Sequence, residues 1–244
     1  MSPPETFSLG SPVYALTTVV GIACTALLWR RLLRSDGRTP DQRLWAVYGG
    51  ALAGAYLGAK VAFLVAEGWH HRGDWVALLS GHSVAGALLG GVCGVELAKS
   101  IVGYRAGTGD LFAVTVPLAL VIGRVGCMFA GCCQGVECGP AWWTVTDAAG
   151  QARWPAAAAE LAFNLLFWAW AMLAWRFGWQ RTQRFNVYLV AYGCFRFAHE
   201  FLRDDARWWS AFGGYHVVAL AIVATGVWMY ARRAGTAAAA TPPT

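Results

Sequence analysis

Charge is what this sequence has least of. Only 13% of its 244 residues are Asp, Glu, Lys or Arg, against about 25% in soluble domains. That scarcity excludes an ordinary soluble enzyme surface. There is also no long polar linker and no second polar domain, so one unit spanning 1–244 is expected. The first residues, MSPPETFSLGSPVY, carry no basic cluster, which argues against a cleaved signal peptide. No soluble-type repeat is present. In place of charge the chain has long apolar runs and a mean hydropathy of +0.45, the signature of bilayer-spanning helices of about 18 or more residues. The net charge of +6 points to a basic cytoplasmic face of a membrane protein, and no nucleic-acid partner is expected.

Seven transmembrane helices are read, at about 12–29, 44–66, 76–98, 111–131, 156–176, 185–203 and 213–231. The fold class is therefore an all-α polytopic membrane protein, ending in a flexible, low-complexity tail over 235–244. Twelve basic residues fall on one side of these spans, among them Arg30, Arg31, Arg34, Lys99 and Arg233, and four on the other: Arg72, Arg153, Arg203 and Arg207. The asymmetry places the N-terminus outside and the C-terminus in the cytoplasm.

Three basic residues, Lys60, Arg124 and Arg196, lie inside spans. Each costs at least ~2.5–3.5 kcal/mol near the bilayer centre, so such residues usually face a bundle interior or a wet cavity. At about 1.5 Å per residue they lie roughly 24, 20 and 17 Å from the cytoplasmic ends of their helices, with Glu200 at about 22 Å. All four thus fall in the outer half of a core about 30 Å thick. Two bland readings stand beside this. Lys60 can snorkel outward, and Arg196 with Glu200, spaced i,i+4, can form a structural ion pair. Arg124 has no acidic residue within a helical turn. Guanidinium groups in a low-dielectric cavity favour phosphate, and at headgroup depth that phosphate belongs to an anionic phospholipid. Glycines at every fourth position, Gly50, Gly54 and Gly58 and then Gly86, Gly90 and Gly94, mark close helix packing.

The stretch IGRVGCMFAGCCQG sets Arg124 beside Cys127, Cys132 and Cys133, with Cys138 following. Four readings of these thiols stay open. They are a stapling disulfide, most naturally from Cys132 or Cys133 to Cys138; inert apolar packing; a metal site, which the C-x4-CC-x4-C spacing does not match to a standard zinc pattern; and a catalytic thiol, since a nearby arginine lowers a thiol's pKa. Cys127 follows Arg124 by three residues, on the same helix face. A thiol attacking carbon needs a proton acceptor, and His82 and His199 are candidates. Cys24, Cys93 and Cys194 read as packing residues. No metal and no cofactor is expected.

Four blocks of the chain resemble the prolipoprotein diacylglyceryl transferase family. GRVGCMFAGCCQG is similar to the family's G-R-x-G-N-F-x-N-G-E-x-x-G signature, and AYGCFRFAHEFLRDD to its Y-G-x-F-R-x-x-x-E-F-x-R block. SVAGALLGG stands where the family has F-H-G-G-L-x-G, and RWPAAAAELAFN where it has H-P-x-Q-L-Y-E. The resemblance implies a bacterial inner-membrane enzyme that moves diacylglyceryl from phosphatidylglycerol to the lipobox cysteine of a lipoprotein precursor, with Arg124 and Arg196 as the phosphate-contacting arginines. It also implies supporting positions at Tyr192, Glu200, Arg203, Gly123, Gly126, Gly131 and Gly135. The candidate catalytic set is Arg124, Arg196, Cys127, Cys132 and His82, and the phosphate-binding set adds Lys60 and Tyr192. The chain departs from the family's pattern where asparagines fall on Cys127 and Ala130, a glutamate on Cys132 and a histidine on Ala85. The alternatives are a divergent lipid-modifying or thiol-redox enzyme that uses its own cysteines, and a non-enzymatic phospholipid-binding or transport protein.

Overall fold

The computed structural model describes residues 12–39 and 41–239. The described chain is helical apart from one two-stranded ribbon. Its helices are α1 (Pro12–Ser35), α2 (Gln42–Ala66), the short α3 (Trp75–Ser80), α4 (Val84–Val102), α5 (Gly109–Phe129), α6 (Ala156–Phe177), α7 (Arg184–Glu200) and α8 (Gly214–Ala239). A single 3₁₀ turn, Gly68–His71, precedes α3. The ribbon pairs β1 (Val145–Thr146) antiparallel with β2 (Ala152–Arg153). Five helices, α2, α4, α5, α6 and α8, are long and apolar enough to cross a membrane, and only 22–39% of each apolar window is buried. Apolar side chains such as Leu52, Val61, Leu97, Ile101 and Leu166 instead face outward. A helix that is apolar all round and mostly uncovered is matched to lipid rather than to water.

The chain divides into two compact units. Among the described residues the first comprises 12–36, 111–177 and 202–204, and the second 37–39, 41–110, 178–201 and 205–239. In the first, α5 and α6 bury Leu111, Ala113, Val114, Ala156, Phe167, Ala171 and Ala174. In the second, α2 packs on α4 through the two glycine rows read in the sequence. A Cβ added to Gly90 would stand 2.1 Å from the Gly54 carbonyl oxygen, and one at Gly58 2.4 Å from that of Gly86. The backbones are therefore in direct contact, an approach only small residues allow. Gly193 of α7 meets α8 in the same manner, with Val223 and the Ala219 carbonyl within 3.0 Å of a built Cβ.

The span read as one helix over 76–98 is instead two. Asp74 caps α3 by accepting from the Ala77 amide at 3.0 Å, Gly81–Ser83 are extended or irregular, and Ser83 Oγ opens α4 by accepting from the Gly86 amide at 3.3 Å. The break has a steric cause as well, because Gly81 passes directly over the Phe63 ring, where a Cβ would collide with it. Two further readings change. α8 continues to Ala239, into the stretch read as a tail, whose last residues 240–244 lie outside the described set. Cys24, Cys93 and Cys194 are exposed rather than packed, since they project from the apolar outer faces of their helices.

Replacing Gly90 with leucine should destabilise the protein by about 1–3 kcal/mol or more, because the obstructing atoms are backbone. Gly49→Ala, at an exposed site with nothing within 4 Å of the added Cβ, should be neutral. Thermal unfolding in detergent checks this, and equal melting temperatures for the two variants would refute the packing account.

Candidate functional site

Each unit holds one deeply buried arginine taken from the sequence candidates. In the first unit Arg124 projects from α5, and its Nη2 forms an ion pair with Glu160 Oε2 of α6 at 2.6 Å. The Arg124 side chain is 9% exposed and that of Glu160 is fully buried. Such a pair survives in a low-dielectric interior only because each charge cancels the other's desolvation cost. One turn after Glu160 sits a second buried polar residue, Asn164, whose Nδ2 donates to the Glu160 carbonyl at 2.8 Å. Glu160 is the residue that sequence reasoning passed over as a partner. Its signal was available, since it is the one acidic residue in an otherwise apolar span.

The loop after α5 builds the rest of this site. Gly131 has φ +64, a left-handed conformation that glycine adopts without steric cost. Gly135 runs so close to the segment after α7 that a Cβ would stand 2.4 Å from the Leu202 carbonyl oxygen. That approach lets the Val136 amide donate to Leu202 O at 3.0 Å and pairs Gly135 with Arg203 in an antiparallel bridge. The ribbon locks the same loop, with Gly135 donating to Trp154 O and Cys138 to Ala152 O, each at 2.9 Å. Arg153 joins Asp147 at 2.5 Å and Asp204 at 3.0 Å. The Arg153 guanidinium holds the Asp147 carboxyl below its ordinary range, and Asp147 in turn raises Arg153. Of the remaining signature glycines, Gly126 is buried on α5, and Gly123 is exposed with open space around it.

Cys127, Cys132 and Cys133 come together here as free thiols. Arg124 Nη1 lies 3.8 Å from Cys127 Sγ. Hydrogen bonds from the Cys127 and Cys132 thiols, then the charges of Arg124 and Arg203, hold Cys133 well below the usual thiol range; the same thiol contacts push Cys132 up. The trio therefore holds its protons unequally, with Cys133 the one biased toward ionisation.

In the second unit Arg196 Nη2 meets Glu200 Oε2 at 2.8 Å and Asp205 Oδ2 at 3.4 Å. The i,i+4 pairing is the one the spacing predicts, while Asp205, beyond the helix end, was not foreseen. The Arg196 guanidinium also lies 5.7 Å from the Tyr215 ring centroid, and Tyr215 donates to Glu67 Oε2 at 2.9 Å. Arg207 closes the same corner by donating to the Glu200 carbonyl at 2.9 Å. Tyr192 is fully buried, in an aromatic row along α7 that runs Phe185, Tyr188, Tyr192, Phe195 and His199. Lys60 is engaged by the end of α3, its Nζ donating to the carbonyls of Leu78, Leu79 and Gly81. His82 is exposed, with Nδ1 2.6 Å from the Ser80 carbonyl oxygen.

Two outcomes test this geometry. Glu160→Gln should cost about 3–5 kcal/mol by stranding the buried arginine, whereas the double change Arg124→Leu with Glu160→Leu should cost much less than the two single losses added together. Unfolding titrations measure the cycle, and strictly additive losses would contradict a coupled pair. Alkylation mapped by mass spectrometry should find Cys133 modified at a nearly constant rate from pH 6 to 8. An ordinary thiol gains about tenfold per pH unit in that range. A normal pH profile at Cys133 would argue against the thiolate.

The family model for prolipoprotein diacylglyceryl transferase matches residues 4–232. A protein of Methylococcus capsulatus named phosphatidylglycerol–prolipoprotein diacylglyceryl transferase is 30% identical over 216 residues, covering 82% of this chain and 81% of its own. One of Dehalococcoides mccartyi with the same name is 27% identical over 239 residues, 92% and 91% of the two chains. The protein of Clostridium perfringens named phosphatidylglycerol–prolipoprotein diacylglyceryl transferase 2 is 26% identical over 214 residues, 83% of each.

Proposed function

As the chain belongs to the prolipoprotein diacylglyceryl transferase family, we propose that it transfers the diacylglyceryl group of phosphatidylglycerol to the cysteine of a lipoprotein precursor. The enzyme sits in the bacterial inner membrane with seven spans, its N-terminus outside and its C-terminus cytoplasmic. α1 and α7 complete the five long apolar helices. α7 is only 17 residues long, and Arg184, Asn186, Arg196, His199 and Glu200 are buried along it. Inside a bundle such a helix needs little lipid-facing surface.

In the reaction the acceptor thiol loses its proton to a base, and its sulfur attacks the glycerol carbon that carries the phosphate. The carbon–oxygen bond breaks with its electron pair going to the phosphate oxygen, and glycerol phosphate leaves. The diester's single negative charge becomes the larger charge of a monoester, and cations fixed in advance at that oxygen lower the barrier. Arg124 and Arg196, the positions that match the family's arginines, are each assigned a phosphate-contacting role. The observation that carries the assignment is their burial with charge partners. Glu160 pairs with one guanidinium, and Glu200 with Asp205 pairs with the other. A pre-oriented guanidinium loses little entropy on meeting a phosphate.

Protein reconstituted with phosphatidylglycerol and a lipobox peptide should yield a diacylglyceryl peptide and glycerol phosphate, detected by mass spectrometry. Arg124→Gln and Arg196→Gln should each lower the rate about 10²–10³-fold, the scale for losing one charge-stabilising donor. Phospholipid binding without product from any lipobox peptide would leave a lipid-binding role and reject the transferase.

A further inference from the structure

Cys127 lies on the last turn of α5, and Cys132 and Cys133 lie in the loop after it; their sulfur atoms are all within 4.8 Å of one another. Backbone geometry enforces the meeting. The Cys132 amide donates to the Cys127 carbonyl at 3.2 Å, and the Cys132 thiol reaches the same oxygen at 3.7 Å. Cys133 has φ +58, a left-handed conformation that costs a residue with a side chain about 1–2 kcal/mol. Strain of this kind persists only where surrounding structure imposes it, and it gathers at functional sites. Here the surroundings are the Gly135–Arg203 bridge and the ribbon pairing just downstream. Cys138, tied to the ribbon by its own amide, is not part of the group.

Around one ion at a metal–sulfur distance of about 2.3 Å, three sulfurs stand roughly 4 Å apart, a separation this group already approaches. Among the described residues no histidine or carboxylate joins the three sulfurs as a fourth ligand, and structural zinc takes four. Soft thiolate donors select copper(I) instead. The arginines fit the same choice. One monovalent ion with three thiolates carries a charge of −2. Arg124, whose Nη1 lies 3.8 Å from Cys127 Sγ while its Nη2 is paired with Glu160, and Arg203, whose charge acts on Cys133, offset part of it. What the guanidinium groups meet is the anionic complex, not the bare cation.

We propose that Cys127, Cys132 and Cys133 form a three-thiolate site for a soft monovalent cation of the copper(I) class. Each ion bound displaces the protons the three thiols still carry. The site is independent of the transferase reading, since it requires neither lipid nor acceptor peptide.

The test uses the full-length protein, reduced and kept anaerobic in detergent, with copper(I) titrated against a chromogenic chelator. One ion per chain is expected. Affinity should fall at least about tenfold in each of Cys127→Ser, Cys132→Ser and Cys133→Ser. It should be unchanged when Cys24, Cys93, Cys138 and Cys194 are all replaced by serine. X-ray absorption of the wild-type complex should give three sulfur neighbours, a readout that survives if a serine variant fails to fold. Unaltered affinity in the trio variants, loss of the ion in the fourfold variant, fewer than three sulfurs, or zinc(II) bound in preference to copper(I) would each overturn the proposal. So would a disulfide within the trio in protein isolated from membranes without reductant.

Discussion

A guanidinium buried in an apolar helix packing must have a counter-charge, and in this protein that requirement organises the polar interior. Arg124 has Glu160, Arg196 has Glu200 and Asp205, and Arg184 has Asp110 at 2.9 Å. In each case the carboxylate comes from another element or from the next helical turn, so satisfying the charge also fixes a packing relationship. The first pair joins α5 to α6; the last ties the start of α7 to the start of α5. Removing one member is worse than removing both, which makes these pairs constraints on the fold as much as features of a site. A guanidinium held in this way presents a fixed plane. For a phosphate ligand, that is the difference between a flexible point charge and a pre-oriented fork.

The loop after α5 carries the second layer of organisation. It turns at Gly131, passes against Leu202 at Gly135 and is held by the ribbon. That path brings Arg203, the thiol trio and Arg124 into one region of the first unit. The signature stretch thus serves two ends, a buried cation from the helix and a cysteine cluster from the turn. Cys127 and Cys132 occupy positions where the resembled family has an amide and a carboxylate side chain, so this stretch is where the sequence departs from the family's pattern. The family membership itself rests on the match over residues 4–232.

Much of this was legible in the sequence, and the reasons are physical. Glycine rows at four-residue spacing specify a close helix contact, and α2 and α4 make it. Buried charge in an apolar span marks a polar interior, and Arg124 and Arg196 lie there. The i,i+4 rule located Glu200 beside Arg196. What the sequence did not yield depended on contacts between distant segments. Glu160 stands out in the sequence as the one acidic residue of its apolar span, but its pairing with Arg124 depends on how α5 and α6 pack. Lys60 reads equally as a phosphate ligand or a snorkelling side chain until the break at Gly81–Ser83 exposes carbonyls for it to cap. Tyr192 was a phosphate-binding candidate through the family resemblance, and its place in the aromatic row of α7 buries it. The convergence of three thiols required a left-handed Cys133, which spacing alone does not predict.

The most direct test of the central claim is an experimental structure of the protein with phosphatidylglycerol bound in a lipid environment. The account predicts phosphate density within hydrogen-bond distance of the Arg124 guanidinium while Glu160 keeps its contact on Nη2. Phosphate density elsewhere in the protein, with Arg124 engaged by Glu160 and the thiols and not by lipid, would contradict it and leave the ion pair as a purely structural brace.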